Sequence, residues 1–180
     1  RNHLAVLESL HARGENEQFD SYLAEVRERI GSDPGISSGD PVTDVILTEK
    51  QSEAARNGIS FECDFHYPTD FSAGALDMSI ILNNALNNAI EAALQCPESE
   101  RHIRISSLKQ KKAFVITVVN SCTGDCTVTD DGLPETTKAD SENHGFGLLN
   151  IKNTAEKYGG GIDIECKDGE FTLTVMLFTS

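Results

Sequence analysis

The 180-residue sequence is short of positive charge, since 15 lysines and arginines face 29 aspartates and glutamates, for a formal net charge of -14. A chain this acidic has no general attraction for nucleic acid or for an anionic membrane, so both partners are disfavoured. The sequence also lacks any run of 18 apolar residues and any signal-like N-terminus. We therefore expect this segment to be neither embedded in a membrane nor exported.

Cysteines are few and odd in number, with five in the chain. Reduced thiols in a cytoplasmic protein are the simplest interpretation. Cys122 and Cys126 lack a second pair of ligands, and His66 and His102 have no partner at a metal-ligand spacing. The sequence therefore predicts no zinc site.

Hydrophobic residues make up 38% of the chain and charged residues 24%, which is typical of a folded domain with a core. Residues 1–32 predict a helical hairpin, because Leu4, Leu7 and Leu10 form one apolar stripe and a second stripe follows Gly14. Dimerisation into a four-helix bundle would cover both stripes. Residues 33–40 have the composition of a linker, and residues 41–180 form the main predicted domain.

The main domain alternates helical and strand patterns. A helix is predicted after Asp40, with Val42, Val45 and Ile46 facing a core, and the longest helix runs over 76–95. Two strands are predicted within 103–120, then a loop over 121–144, a helix ending at Tyr158 and a final hairpin that turns at 167–169. This order predicts an α+β sandwich with helices on one face of a mixed or antiparallel sheet.

The longest predicted helix contains four asparagines within six positions, at Asn83, Asn84, Asn87 and Asn88. Each asparagine lowers helix stability by about 0.5 kcal/mol relative to alanine in a helix interior. Helix formation alone is therefore a poor explanation for the four asparagines. Asn84 and Asn88 share one face of the helix, at the spacing i, i+4. One interpretation is a solvated polar face. The other is an array of amide oxygens for Mg²⁺, with substrate phosphates completing its ligand shell.

Two further elements have the residue types of a nucleotide site. The segment His144-Gly145-Phe146-Gly147-Leu148 lies where a loop enters a helix, so its glycines would let backbone N–H groups approach phosphate oxygens. Asn120 ends a predicted strand, and its amide has the donor and the acceptor that suit the edge of adenine. Taken alone, each is also compatible with an ordinary turn.

In this order and spacing, the three elements resemble the Bergerat-type ATP-binding domain of the GHKL superfamily, over residues 41–180. Asn84 to Asn88 is similar to its N-box, Asn120 lies where its first glycine box begins, and Gly145-Phe-Gly147 is similar to its second. Arg1-Asn2-His3-Leu4 resembles the end of the phosphoacceptor motif of sensor kinases of the peptide-quorum-sensing, accessory-gene-regulator type. The resemblance implies a two-layer fold and a histidine kinase that uses Mg²⁺ and ATP.

The resemblance also implies roles for individual residues. Asn88 becomes the Mg²⁺ ligand and, with Asn84, a catalytic residue. The predicted nucleotide contacts are Asn84, Asn87, Asn88, Asn120, His144, Gly145, Phe146, Gly147 and Leu148. The 121–144 loop becomes a lid over ATP, and a cation for the phosphates would come from Lys138, His144 or Lys152. The acceptor histidine would lie just upstream of Arg1, in a membrane-anchored parent that dimerises through its N-terminal helices and phosphorylates a response regulator.

Two asparagines depart from the pattern of the superfamily. Asn84 stands where related enzymes place a glutamate that activates water, and an amide cannot act as that base. Asn120 replaces an aspartate, and the glycines that follow this aspartate are missing. Two alternatives stay open: an ATP-binding interaction module without phosphoryl transfer, and a structural domain that binds no nucleotide.

Overall fold

The computed structural model describes residues 3–22, 35–71, 73–123 and 146–178. The chain divides into two compact units, Arg1–Gly35 and Ile36–Ser180. In the first unit, helix α1 (His3–Ala12) ends at a turn in which the Gly14 N–H donates to the carbonyl of His11. Residues 16–22 are again helical. The remainder of the predicted second helix and the first part of the linker lie outside the described residues.

The second unit is an α+β domain with one mixed sheet of five strands. Its helices are α2 (Pro41–Arg56), α3 (Ala75–Leu94) and α4 (Phe146–Lys157). Its strands are β1 (Ser60–Asp64), β2 (His102–Gln110), β3 (Ala113–Ser121), β4 (Gly161–Lys167) and β5 (Glu170–Phe178). The strand order is β1-β2-β3-β5-β4, with β1 parallel to β2 and all other pairs antiparallel. The predicted fold class is confirmed.

The core lies between the helices and one face of this sheet. Alternate residues of β3 are buried, and the same alternation buries β2 and β5 toward the helices. Helix α3 contacts β2, β3, α2 and α4, so it lies at the centre of the helical layer. Its apolar face is fully buried, through Met78, Ile81, Leu82, Ala85, Leu86, Ala89, Ile90 and Ala93.

The final hairpin and the last helix end where the sequence predicts. Asp168 and Gly169 form a two-residue turn with φ of 54° and 80°, between the paired residues Lys167 and Glu170. Positive φ at both central positions is the turn that matches the twist of the flanking strands. Helix α4 ends as predicted at its glycines, because the Gly160 N–H donates to the carbonyl of Ala155 and Gly159 has a φ of 64°.

Two expectations were wrong. Ile46 is buried as predicted, but Val42 and Val45 are exposed, and α2 also buries Thr43, Leu47, Lys50 and Ala54. The core-facing stripe includes Lys50, whose apolar stem is covered while its ammonium group pairs with Glu53 at 2.8 Å. Cys63 and Cys96 are free, but Cys166 is disulfide-bonded, so the prediction of reduced thiols fails at that residue.

Candidate functional site

Helix α3 fixes two of its asparagines by hydrogen bonds to the preceding turn. The Asn83 Nδ2 donates to the carbonyl and the hydroxyl of Ser79, at 3.0 and 3.1 Å. The Asn84 Nδ2 donates to the carbonyl of Ile80 at 2.7 Å. Because a back-bonded nitrogen fixes how an amide is oriented, each side chain keeps its oxygen as the group turned away from the helix backbone.

The beginning of α4 lies directly against Asn84 and Asn88. A β-carbon at Gly147 would be 3.3 Å from both Nδ2 and Oδ1 of Asn88 and 3.4 Å from Oδ1 of Asn84. Residues from two motifs that are far apart in the sequence therefore share one site. The absence of a side chain at Gly147 is what lets the two helices approach here.

The Asn88 side chain is half-buried, and within the described residues it makes no hydrogen bond. An amide that is partly withdrawn from water and has no protein partner is suited to an external ligand. Its oxygen is a hard donor of the kind that Mg²⁺ accepts, so the residue fits the predicted metal role. No group of three or more His, Cys, Asp or Glu able to hold a metal exists in the described part of the chain.

Asn120 lies at the end of the central strand β3 and points into the helical side of the sheet. It continues the buried series Phe114, Ile116 and Val118, and only 2% of it is exposed. Its Nδ2 donates to the carbonyl of Ser121 at 3.0 Å. This bond fixes the orientation of the amide and leaves Oδ1 as an acceptor.

The other predicted site residues differ in their surroundings. Phe146 is 58% exposed, Leu148 packs partly against the core, and Asn87 is exposed on α3. Lys152, one of the three candidate cations, lies on α4. His144, Gly145 and Lys138 lie outside the described residues, as does nearly all of the predicted lid.

A polar cluster between α3 and α4 is not predicted by any pattern in the sequence. The Tyr158 hydroxyl accepts from the Gly74 N–H at 3.0 Å and donates to Oδ2 of Asp77 at 2.9 Å. Lys157 Nζ donates to Oδ1 of the same carboxylate at 2.8 Å. These hydrogen bonds to Lys157 and Tyr158 lower the pKa of Asp77, and burial raises the pKa of Tyr158. No local pattern joins residues 81 positions apart, so sequence alone could not reveal the cluster.

A family model described as the GHKL domain matches residues 74–178, which is more than half of the chain. No curated protein matches. Among solved structures, the catalytic domain of histidine kinase ThkA is 19% identical, with a TM-score of 0.59 and coverage of 78% of this chain and 92% of that one.

Two further structures show the same fold. The mycobacterial sensor histidine kinase MprB is 14% identical with a TM-score of 0.56, covering 76% of this chain and 91% of that one. Acinetobacter baumannii histidine kinase AdeS is 15% identical with a TM-score of 0.55, covering 76% and 62%. In the described residues, no helix is both long and apolar enough to cross a membrane. The sheet order, the Asn84–Asn88–Gly147 contact and the matched family model agree with one another. The chain belongs to the GHKL family of ATP-binding domains and has the fold of histidine kinase catalytic domains.

Proposed function

We propose that this chain is the ATP-binding kinase domain of a two-component sensor histidine kinase. The observation that carries the proposal is the contact of Gly147 with Asn84 and Asn88. It joins the amide oxygens suited to a metal with the backbone suited to phosphates. Asn120, buried on the helical side of the sheet, supplies an acceptor for the exocyclic amine of adenine.

Each residue has a distinct task in this proposal. Asn88 holds Mg²⁺ through its oxygen, Asn120 binds adenine, and Gly147, with Gly145, admits the phosphates to the backbone. Mg²⁺, when bound, neutralises phosphate charge and orients the triphosphate. Asn84 is an amide and cannot remove a proton from water, so the site favours transfer to another nucleophile over hydrolysis.

The proposed reaction is an in-line transfer. A neutral imidazole nitrogen of the acceptor histidine attacks the γ-phosphorus, a P–N bond forms, the bond to the β-phosphate oxygen breaks, and ADP leaves. The phosphoryl group then passes to an aspartate of a response regulator. The protein acts chiefly by positioning the reactants and neutralising charge, because little covalent chemistry is left for side chains to perform.

The cellular setting is part of the same proposal. The acceptor histidine lies just upstream of Arg1, and the N-terminal helices of residues 1–32 form a homodimer. The parent is a membrane-anchored sensor of the peptide-quorum-sensing type, with this domain on the cytoplasmic side. Nucleic acid is not a partner, consistent with the net charge of -14.

Calorimetric titration of ATP into the chain, with Mg²⁺ and with EDTA, tests the site. Asn88→Ala should abolish the Mg²⁺-dependent binding, whereas Asn83→Ala should leave it unchanged, because Asn83 is not one of the asparagines next to Gly147 and is bonded to Ser79. Both substitutions raise the helix propensity by about 0.5 kcal/mol. A loss of ATP binding in either variant would therefore not be caused by unfolding of the helix. Wild-type protein that folds and binds no ATP would overturn the proposal.

Phosphotransfer is tested separately, in a chain extended upstream to include the predicted acceptor. Incubation with γ-labelled ATP should give an acid-labile phosphohistidine that a His→Gln change at the acceptor removes. ATP binding without any phosphohistidine would instead support the interaction module, in which nucleotide binding recruits a partner.

A further inference from the structure

The hydrogen-bonded cluster of Gly74, Asp77, Lys157 and Tyr158, here called the clasp, joins the N-terminal end of α3 to the C-terminal end of α4. Tyr158 is its centre, because one hydroxyl both accepts from the Gly74 N–H and donates to Asp77. The phenol ring packs on Phe71, with 6.2 Å between ring centroids. Its position is therefore fixed by apolar packing as well as by two hydrogen bonds.

The clasp and the candidate site lie at two places along one antiparallel helix pair. Asp77 and Asn88 are eleven residues apart on α3, and Gly147 and Tyr158 are eleven residues apart along α4 and its end. At 1.5 Å per residue, each interval is about 16 Å. The equal intervals place Tyr158 on Asp77 at one level and Gly147 on Asn88 at the other.

The helix pair between these two levels is closely packed. Ile151 and Ala155 of α4 have no exposed surface, and they belong to the same core as Ile81 and Ala85 of α3. Packed interiors have low compressibility and transmit strain. A change in the angle between α3 and α4 at the clasp should therefore alter the separation of Gly147 and Asn88.

The contact at the site has no comparable restraint of its own. The Asn88 side chain makes no hydrogen bond within the described residues, and none joins it to Gly147 there. Small changes in separation there meet little resistance, since a glycine contact has no directional bond. The spacing at this level must be held by the rest of the helix pair.

We propose that Tyr158 and Asp77 are positioning residues for the nucleotide site, which hold α4 at the angle that seats Gly147 on Asn84 and Asn88. The inference rests on the proposed function for its effect on ATP. The coupling between the clasp and the position of Gly147 is the structural part of the proposal, and it does not depend on a bound nucleotide.

The test compares two substitutions that each remove one hydroxyl from the same aromatic cluster. Tyr158→Phe removes the centre of the clasp and keeps the ring. Tyr67→Phe is the matched control, because the Tyr67 hydroxyl, among the described residues, bonds only to the backbone of Ala73, at 3.1 and 3.3 Å. Asp77→Asn is a conservative variant that keeps an oxygen able to accept from Tyr158.

Two measurements are made on each variant of the 180-residue chain. Heteronuclear NMR without nucleotide follows the backbone amide of Gly147 and the side-chain amides of Asn84 and Asn88. Calorimetry then gives the Kd for Mg²⁺-ATP. We expect Tyr158→Phe to shift these three signals and to raise the Kd about three- to tenfold, which is the range for one fully coupled hydrogen bond. Tyr67→Phe should lower thermal stability to a similar extent and change neither quantity, and Asp77→Asn should stay within about twofold of wild type.

The outcomes separate the two proposals. Unchanged Gly147 and Asn88 signals in folded Tyr158→Phe, or equal shifts in both tyrosine variants, would overturn the positioning role. Wild-type protein that binds no ATP, while Tyr158→Phe still moves the three signals, would overturn the proposed function and leave the coupling standing. Shifted signals with an unchanged Kd would show that the coupling does not serve the nucleotide, which would also overturn the positioning role.

Discussion

The side-chain amide of Asn88 lies against Gly147, so that a β-carbon at Gly147 would be 3.3 Å from both the nitrogen and the oxygen of that amide. That distance is shorter than most contacts that side chains make, and the neighbouring Asn84 oxygen would be at 3.4 Å. Glycine at this position therefore serves two ends. It permits the close packing of α3 and α4, and it keeps the amides in place.

Gly147→Ala should weaken Mg²⁺-ATP binding by about tenfold or more while it changes the melting temperature only slightly. The added methyl group must displace the terminal atoms of Asn88, which make no hydrogen bond among the described residues and can move at small cost in stability. Gly161→Ala is the control, because a β-carbon at Gly161 would meet nothing within 4 Å. Calorimetric titration and thermal unfolding of both variants measure the two effects. Equal affinity of Gly147→Ala and wild type for Mg²⁺-ATP would show that the Asn88–Gly147 contact is not part of the nucleotide site.

Asn120 should make the site prefer adenine to a base with a carbonyl at the same position. Its nitrogen is bonded to the carbonyl of Ser121, so its oxygen remains an acceptor and would face the oxygen of hypoxanthine unfavourably. We expect ITP to bind at least about tenfold more weakly than ATP. Asn120→Asp keeps the acceptor and should keep the preference, whereas Asn120→Leu should lose it. Competition binding of ATP and ITP to the three proteins checks this, and equal affinities in the wild type would contradict it.

The fold could be predicted from the sequence where its patterns are local. The amphipathic α3, the glycines after Tyr158 and the turn at Asp168-Gly169 each depend on residues within one or two turns of chain. The helical face of α2 was assigned wrongly, because Val42 and Val45 resemble core residues while the residue that is covered is Lys50. Whether the apolar stem of a lysine is buried depends on its neighbours in the fold, and the hydropathy of the residue does not predict it.

The candidate site also has a part that local sequence patterns predict and a part that they do not. The i, i+4 spacing of Asn84 and Asn88 is enough by itself to put both side chains on one helical face. Their contact with Gly147 depends on the antiparallel packing of α3 and α4, and only the resemblance to a family pointed to it. The bond between Tyr158 and Asp77 had no such guide, since 81 residues separate them and neither belongs to a recognised motif.

Gly160→Ala should destabilise the domain by at least about 3 kcal/mol, in the range of changes that force backbone to move. A β-carbon there would lie 1.8 Å from the carbonyl oxygen of Met176 and 2.6 Å from its carbon, so α4 and β5 would have to separate. Gly159→Ala is the comparison, since Gly159 has open space around it but a φ of 64°. It should cost only about 1–2 kcal/mol of left-handed strain. Urea unfolding of both variants measures the difference, and a cost in Gly160→Ala no larger than that in Gly159→Ala would contradict the importance of the close approach to Met176.

Glu170 should make stability depend on pH in the acid range. Its carboxylate accepts from Arg104 at 2.8 Å and pairs with His102 at 2.9 Å on the outer face of the sheet. The hydrogen bond from Arg104, followed by that from His102, holds the pKa of Glu170 below its usual value of 4.5. A depressed folded-state pKa adds stability above the unfolded-state value, and this contribution is lost as the pH falls through the folded-state value.

Glu170→Gln should therefore lower the free energy of unfolding by about 0.5 kcal/mol at pH 7, because the pair is partly exposed and screened by water. The difference from wild type should shrink as the pH falls below about 4.5 and vanish once the pH is below the lowered folded-state pKa of Glu170, where both proteins carry a neutral side chain. It should also shrink in 1 M NaCl at pH 7, because salt screens the pair. Urea unfolding across this pH range gives the curve. A difference that stays constant from pH 7 to pH 3 would mean that Glu170 contributes through packing instead of charge.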